Sequence, residues 1–316
     1  MKLPVLMVDA APQLPLGHHP VRSNLNESNM NLAITGATSG IGIETVKALA
    51  PNCKQIYLLV RNIERADELI NQWTGRGYSS KFHVIPCDLS DLGTVMAATE
   101  KMKALCPQLD VLINNAGAIF KERQLTKDGI ESSFSINHLG HFLLTRRLMP
   151  LLLAAGTARV INVSSDAHKI AKPDMSDLQS SKAYHALKVY ANVKLFNILF
   201  TRSLAERYGN KGIYAFALHP GMVRTNFGSG YTGLIKLGMK IVKPLMISPE
   251  KGASTSVFLA QDASVLQYNG GYFKKKRLSK TSKMATSADL RNQVWEESEK
   301  QLRSRGIEWQ VSQNGE

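Results

Sequence analysis

The sequence predicts the α/β class: a single-domain, doubly wound parallel sheet with helices on both faces. Three observations carry this. Apolar runs of strand length alternate with amphipathic stretches of helix length along residues 31–275. The runs are apolar nearly throughout, the pattern of parallel strands buried on both sides. A glycine-rich turn, "GATSGIG", joins the first run to the first helix. Right-handed crossovers then give a Rossmann-type arrangement.

The elements follow in order. "NLAIT" (31–35) is a buried strand, and a helical pattern runs from the glycine turn through Ala50. "QIYLLV" (55–60) is the second strand, and 62–74 a polar-faced helix. "KFHVIPCDL" (81–89) and "DVLINNAG" (110–117) are the third and fourth strands, with a helix at 91–105 between them. A long helix over about 128–153 precedes the fifth strand, "ARVINVSS" (158–165). A second long helix ends near Tyr208, before the sixth strand "GIYAFALHPG" (212–221). "SADLRNQVWEESEKQL" (287–302) reads as an amphipathic helix with Leu290, Val294 and Trp295 inward. No linker divides the chain, so 30–305 is one domain. Residues 1–29, rich in Pro, Asn and Ser, read as a flexible leader or vector-derived remnant, and 306–316 as a tail.

At 44 % hydrophobic and 20 % charged, 316 residues supply an ample core. Cys53, Cys87 and Cys106 have neither metal-ligand nor disulfide spacing, so they read as buried thiols of a cytoplasmic chain. No apolar run reaches the roughly 18 residues of a spanning helix. The net charge of +14 is uneven: 207–249 and 270–283 each hold six Lys or Arg and no acid. Such fields attract phosphate-bearing cofactors or anionic surfaces. Nothing aromatic interleaves these lysines in a nucleic-acid-binding module. His138 and His141 are three apart, but no Cys or acid nearby completes a metal set, so they read as core or groove histidines.

Gly36, Gly40 and Gly42 stand where a backbone approaches a pyrophosphate at a helix N-terminus. The second strand ends without an acid. Arg61 follows at once and Arg65 one turn later. A guanidinium fork suits a 2′-phosphate, which favours NADP(H) over NAD.

With "TGATSGIG", "CDLS" (87–90), "NNAG" (114–117), "INHLGHF" (136–142), "INVSS" (161–165), a Tyr-x-x-x-Lys and "HPGMVRT" (219–225), the sequence resembles the short-chain dehydrogenase/reductase family over about 31–300. "NHLGHFLLT", "SSDAH" and "SPEKGASTSVFLA" are most similar to the branch of retinol dehydrogenases and lipid-carbonyl reductases. The resemblance implies that Ser39, Gly40, Ile41 and Gly42 line the phosphate turn and that Asp88 and Leu89 lie by the adenine. It places Asn115, Ala116 and Gly117 at the ribose side and Pro220, Gly221, Val223 and Thr225 at the nicotinamide. It makes Asn137, Ser165, a Tyr and a Lys a catalytic tetrad.

Two pairs have the Tyr-x-x-x-Lys spacing, Tyr184 with Lys188 and Tyr190 with Lys194. Six residues on a helix are about 9 Å of rise and roughly 240° of rotation, so only one tyrosine can serve. The amphipathic run "LFNILFTRSLAERYG" after Lys194 resembles the family's long helix, whose first turns carry the pair, and this selects Tyr190. By the same resemblance Ser165 is the catalytic serine, and Ser164 only bonds backbone. An ordinary Tyr titrates near 10; the expectation is that Lys194 and an oxidised nicotinamide lower it. Tyr190 is then general acid or base, Ser165 an oxyanion donor, Lys194 a ribose ligand, and Asn137 the holder of a relay water.

The segment 222–248 reads as a substrate lid. Within 231–247, Lys236, Lys240 and Lys243 share one helix face, with Leu234, Ile241 and Leu245 opposite. The lid packs on the core or makes peripheral contact with a membrane surface. Both point to a lipophilic aldehyde, ketone or alcohol as substrate. The competing class is a non-catalytic NADP-binding scaffold or sensor. Relatives pair as homodimers or homotetramers through the two long helices, and the resemblance implies the same here.

Overall fold

The computed structural model describes residues 29–75, 77, 78, 80–223 and 246–308. Thr225, most of the expected lid, the 231–245 part of the lysine-faced helix, leader residues 1–28 and tail residues 309–316 lie outside the described residues.

An eight-stranded sheet runs in the order β3-β2-β1-β4-β5-β6-β7-β8. Its strands are β1 Met30–Thr35, β2 Cys53–Val60, β3 Lys81–Pro86, β4 Val111–Asn114, β5 Ala158–Val163, β6 Ile213–His219, β7 Tyr272–Lys274 and β8 Arg277–Leu278. All pairings are parallel except the antiparallel β7–β8 hairpin. The order reverses between β1 and β4, which opens a crevice at their carboxyl ends.

Alternate strand residues feed two cores. Leu32, Ile34, Leu58, Ile113 and Phe216 face one, shared with α1 (Gly40–Leu49) and α2 (Ile63–Thr74). Helix α7 (Pro249–Gln261) covers the same face. Ala33, Tyr57, Leu112, Val160 and Ala215 face the other. There they meet α3 (Leu92–Leu105), α5 (Gly140–Ala154), α6 (Ala186–Tyr208) and α8 (Ala288–Arg303). Burial on both sides is why these strands read as continuous apolar runs.

Local chemistry sets the helix starts. Asn62 accepts from Arg65 N, Asp91 from Thr94 N and Ser287 from Leu290 N. The long helix expected from residue 128 begins instead at α4, Ser132–Phe134. Buried Glu131 caps it by accepting from the backbone N–H groups of Ser133 and Phe134, both at 2.8 Å. A π turn, Ser135–Leu139, then leads into α5.

Helix α8 lies over the groove between α5 and α6. Trp295 packs edge-on against Phe142, and the Arg146 and Arg207 guanidiniums stand over its indole at 5.0 and 4.5 Å. All three cysteines are buried and free, and His138 and His141 are core residues. Among the described residues no helix is long and apolar enough to cross a membrane.

Candidate active site

The glycine turn is built by close approach. A Cβ on Gly42 would stand 2.0 Å from the Gly36 carbonyl oxygen, so only glycine lets the first turn of α1 fold onto the end of β1. Gly36 itself, at φ +68°, packs against Ala116. Ser39 stands at the N-cap without a side-chain cap bond, and no acid occupies the first turn of α1. The helix therefore presents an uncompensated positive end to the crevice, beside a cradle that side chains would fill. These residues fit a dinucleotide pyrophosphate. Ile41 and Val223 both lie against Gly252 of α7, which joins this turn to the loop after β6. In that loop Gly221 packs on Ile247, and Val223 bridges to Ile247. Pro220 is half-buried just past the end of β6.

Arg61 is exposed immediately after β2. Arg65, in the first turn of α2, pairs with Glu68 at 2.7 Å; both side chains are well exposed, so the pair is weak competition for a phosphate. Asp88 closes a turn by accepting from Ser90 N and Ser90 Oγ at 2.9 and 2.7 Å. Leu89 packs into the core, and its carbonyl accepts from Ser135 Oγ at 3.0 Å. Leu89 thus holds its loop from beneath.

A residue that the sequence reading passed over organises the loop after β4. Thr35 Oγ1 accepts the N–H groups of Asn115 and Ala116, each at 3.0 Å. Its own proton is left for His141 Nε2, at 2.9 Å. His141 must then carry its proton on Nδ1, which donates to the Asn137 carbonyl at 3.3 Å. Burial pushes this imidazole down to about 3, so it stays neutral. The only sequence signal for this link was a polar residue ending an apolar strand.

Asn137 is fully buried. Its Nδ2 donates to the carbonyls of Ala118 and Ser133, and its Oδ1 accepts from Ala118 N. The side chain clamps the loop after β4. A Cβ on Gly117 would meet Asn137 Oδ1 at 2.8 Å and Lys194 Nζ at 3.2 Å, so three expected site residues converge there.

Ser165, Tyr190 and Lys194 come together beyond the end of β5. Ser165 caps the 3-10 turn Asp166–Ile170, and its Oγ accepts from Ala167 N at 3.2 Å. The Ser165 side chain is also hydrogen-bonded to the Tyr190 hydroxyl. Lys194 lies one turn after Tyr190 on α6, its Nζ 5.5 Å from the phenol ring centre, and donates to the Val163 carbonyl at 3.2 Å. Ser164 donates to the Lys194 carbonyl at 2.6 Å and so holds α6 against β5, as expected of it.

Burial sets the electrostatics of the pair. Burial pushes the Tyr190 phenol up to about 12, and the bond from Ser165 offsets this only in part. Burial also pushes the Lys194 ammonium down to about 8. Among the protein's own groups, desolvation of the phenolate therefore dominates.

The other Tyr-x-x-x-Lys pair is elsewhere. Tyr184 precedes α6 and donates to the Phe120 carbonyl at 3.0 Å, and Lys188 is exposed.

Residues 31–232 match the family described as short chain dehydrogenase. The chain is 35 % identical to retinol dehydrogenase 12 of Homo sapiens over 289 residues, 92 % of this chain and 90 % of that protein. A crystal structure of an uncharacterised protein from Mycobacterium paratuberculosis superimposes with a TM-score of 0.70 at 27 % identity, covering 90 % of this chain and 96 % of that one. Gluconate 5-dehydrogenase from Burkholderia cenocepacia, solved with NADP and tartrate, shares the fold with a TM-score of 0.63 at 22 % identity, covering 84 % and 98 %.

Proposed function

Since the chain belongs to the short-chain dehydrogenase family, we propose that it is an NADP(H)-dependent oxidoreductase that interconverts a lipophilic aldehyde or ketone and its alcohol, with Tyr190 as proton donor and acceptor. The observation that carries this is the convergence of Ser165, Tyr190 and Lys194 past the end of β5.

The cofactor, when bound, supplies or accepts the hydride. The turn Gly36–Gly42 would hold its pyrophosphate, Arg61 and Arg65 the 2′-phosphate, and Asn115–Gly117 and Pro220–Val223 the ribose and nicotinamide ends. The catalytic residues then have distinct tasks. Tyr190 is a protonated phenol at neutral pH, since burial sets its pKa to about 12. It is therefore ready to give its proton to a carbonyl oxygen that is gaining charge. Ser165, whose oxygen accepts Ala167 N–H, directs its own proton at the same oxygen. Lys194 is cationic for the most part below its pKa of about 8, and its charge favours the phenolate left behind. In the oxidative direction the same groups act in reverse. Asn137 acts by fixing the Ala118 loop around Lys194 and Gly117.

Exposed apolar side chains support a lipophilic substrate. Ile170 lies in the turn after β5, Leu187 one helical turn before Tyr190, and Met222 just after β6. All three follow carboxyl ends of strands that border the site. The name of the human relative points the same way, toward a retinoid-like alcohol.

The test follows nicotinamide absorbance with NADPH and with NADH against all-trans-retinal, a long straight-chain aldehyde and a sugar ketone. Turnover of the apolar carbonyls with NADPH is expected. Silence across the panel alongside tight NADPH binding would replace this reading with a non-catalytic NADP-binding scaffold.

A further inference from the structure

We propose that Asp166 is a positioning residue that acts through Ser165, with strand β7 as its anchor. This rests on the reading of Ser165 as the oxyanion donor.

Asp166 directly follows Ser165 and opens the 3-10 turn. Its Oδ1 accepts from the Tyr272 hydroxyl at 3.0 Å and from Lys169 Nζ at 3.1 Å. Its Oδ2 accepts from Lys274 Nζ at 2.5 Å. Its backbone N–H donates to His219 Nδ1 at 3.4 Å. His219 is the β6 register partner of Lys274 and immediately precedes Pro220. The carboxylate thus ties the turn after β5 to β7, and the backbone N–H of the same residue ties it to the end of β6. Burial of the carboxylate works against its charge, but the bonds from Lys274 and Lys169 prevail and hold it well below the usual carboxyl range.

A second tie grips Ser165 from the buried side. His168 Nε2 accepts the Ser282 N–H at 3.2 Å, so its proton sits on Nδ1. Nδ1 donates to the Ser165 carbonyl at 2.7 Å. The His168 ring packs edge-on against Tyr272, with centroids 4.9 Å apart. The partners Tyr272, Lys274 and Ser282 all come from β7 or the chain that follows it, a stretch whose lysines are conspicuous in the sequence without an evident task.

The chemical need is geometric. An oxyanion donor acts only if its hydroxyl sits at hydrogen-bond distance from the charge that develops, and a misplacement of about 1 Å costs about 10²-fold in rate. The Ser165 hydroxyl is carried by a short turn, not by a strand, so its place depends on what holds that turn. Removal of the Asp166 carboxylate would release the turn from β7. The glycine turn and Arg61, at the ends of β1 and β2, would be untouched.

The experiment is a double-mutant cycle on the full chain, with NADPH and the apolar aldehyde that turns over fastest. D166N fills the same volume and should lower kcat by about 10- to 100-fold. NADPH affinity, read from nucleotide fluorescence, should stay within about two-fold. S165A/D166N should be no slower than S165A, since nothing remains to position. K274M, which keeps the carboxylate and its bond from Tyr272, should give a smaller loss in the same direction. A D166N rate equal to wild type would overturn the proposal. So would a D166N loss as large in the S165A background as in wild type, which is what general damage to the fold would give. If S165A itself runs at the wild-type rate, the reading of Ser165 falls and takes the proposal with it. If S165A is slow while D166N is not, the proposal alone falls.

Discussion

Two Tyr-x-x-x-Lys pairs lie six residues apart in this chain, and their surroundings differ almost completely. Tyr184 sits before α6 begins, its hydroxyl donated to the Phe120 carbonyl, and Lys188 points into solvent. Tyr190 sits inside α6 with its hydroxyl on Ser165, and Lys194 is buried at 3 % exposure against the Val163 carbonyl. The spacing brings two side chains onto one helix face but says nothing about what that face meets. What separates the pairs is tertiary: strand β5 and the turn after it deliver Val163 and Ser165 to one pair and nothing to the other. Desolvation then makes one pair chemically unusual, since a phenol near 12 beside an ammonium near 8 cannot arise in water.

The sharpest way to break this comparison is to exchange hydroxyl losses. Y190F should lower kcat by about 10³-fold or more, within the range of lost general acid catalysis, and leave NADPH affinity within about two-fold. Y184F should keep its rate. Comparable rates for the two variants would undo the distinction.

Burial of Lys194 makes the next contrast. Its folded pKa of about 8 lies below the 10.5 of an ordinary lysine, so the folded protein carries a penalty that is complete below pH 8 and gone above about 10.5. The penalty is on the order of 3 kcal/mol. K194M, though inactive, should therefore melt above wild type at pH 7, and the gap should close as pH rises from 8 toward 10.5. K188M should show neither effect. Melting curves across that range decide it; a gap independent of pH would mean the lysine is not desolvated.

The cofactor end is expected to respond more modestly. R61A should reduce the preference for NADPH over NADH by about 10- to 100-fold, the worth of a charge-assisted hydrogen bond to phosphate. Titration with both nucleotides reads it, and equal loss for the two would remove the phosphate assignment. The smallest effect belongs to Tyr184 again. Loss of its bond to the Phe120 carbonyl should cost about 1 kcal/mol of stability, measured by denaturant unfolding.

Helix α8 bears on assembly in the same comparative way. The resemblance implies subunit contact through the two long helices, and within the chain Trp295, Glu299 and Ser298 of α8 pack on Phe142, Arg146 and His138.

The amino-acid sequence determined the strands β1 to β6, the glycine turn, and the order in which the site residues enter the crevice. These are encoded locally: an apolar run must be buried, and a Cβ either fits the turn or does not. Only the tertiary structure decided the rest. β7 and β8 have three and two residues, and they are strands because β6 offers an edge to β7 and β7 to β8, not because of any period in "YFKKKRL". The helix start at Ser132 depends on a buried Glu131, and the His141 tautomer on a threonine 106 residues away. The extent to which burial raises the Tyr190 phenol is hidden from the sequence for the same reason. Attraction between neighbours can be guessed from spacing, but the cost of desolvation depends on everything that packs around a charge, and that is assembled only when distant segments meet.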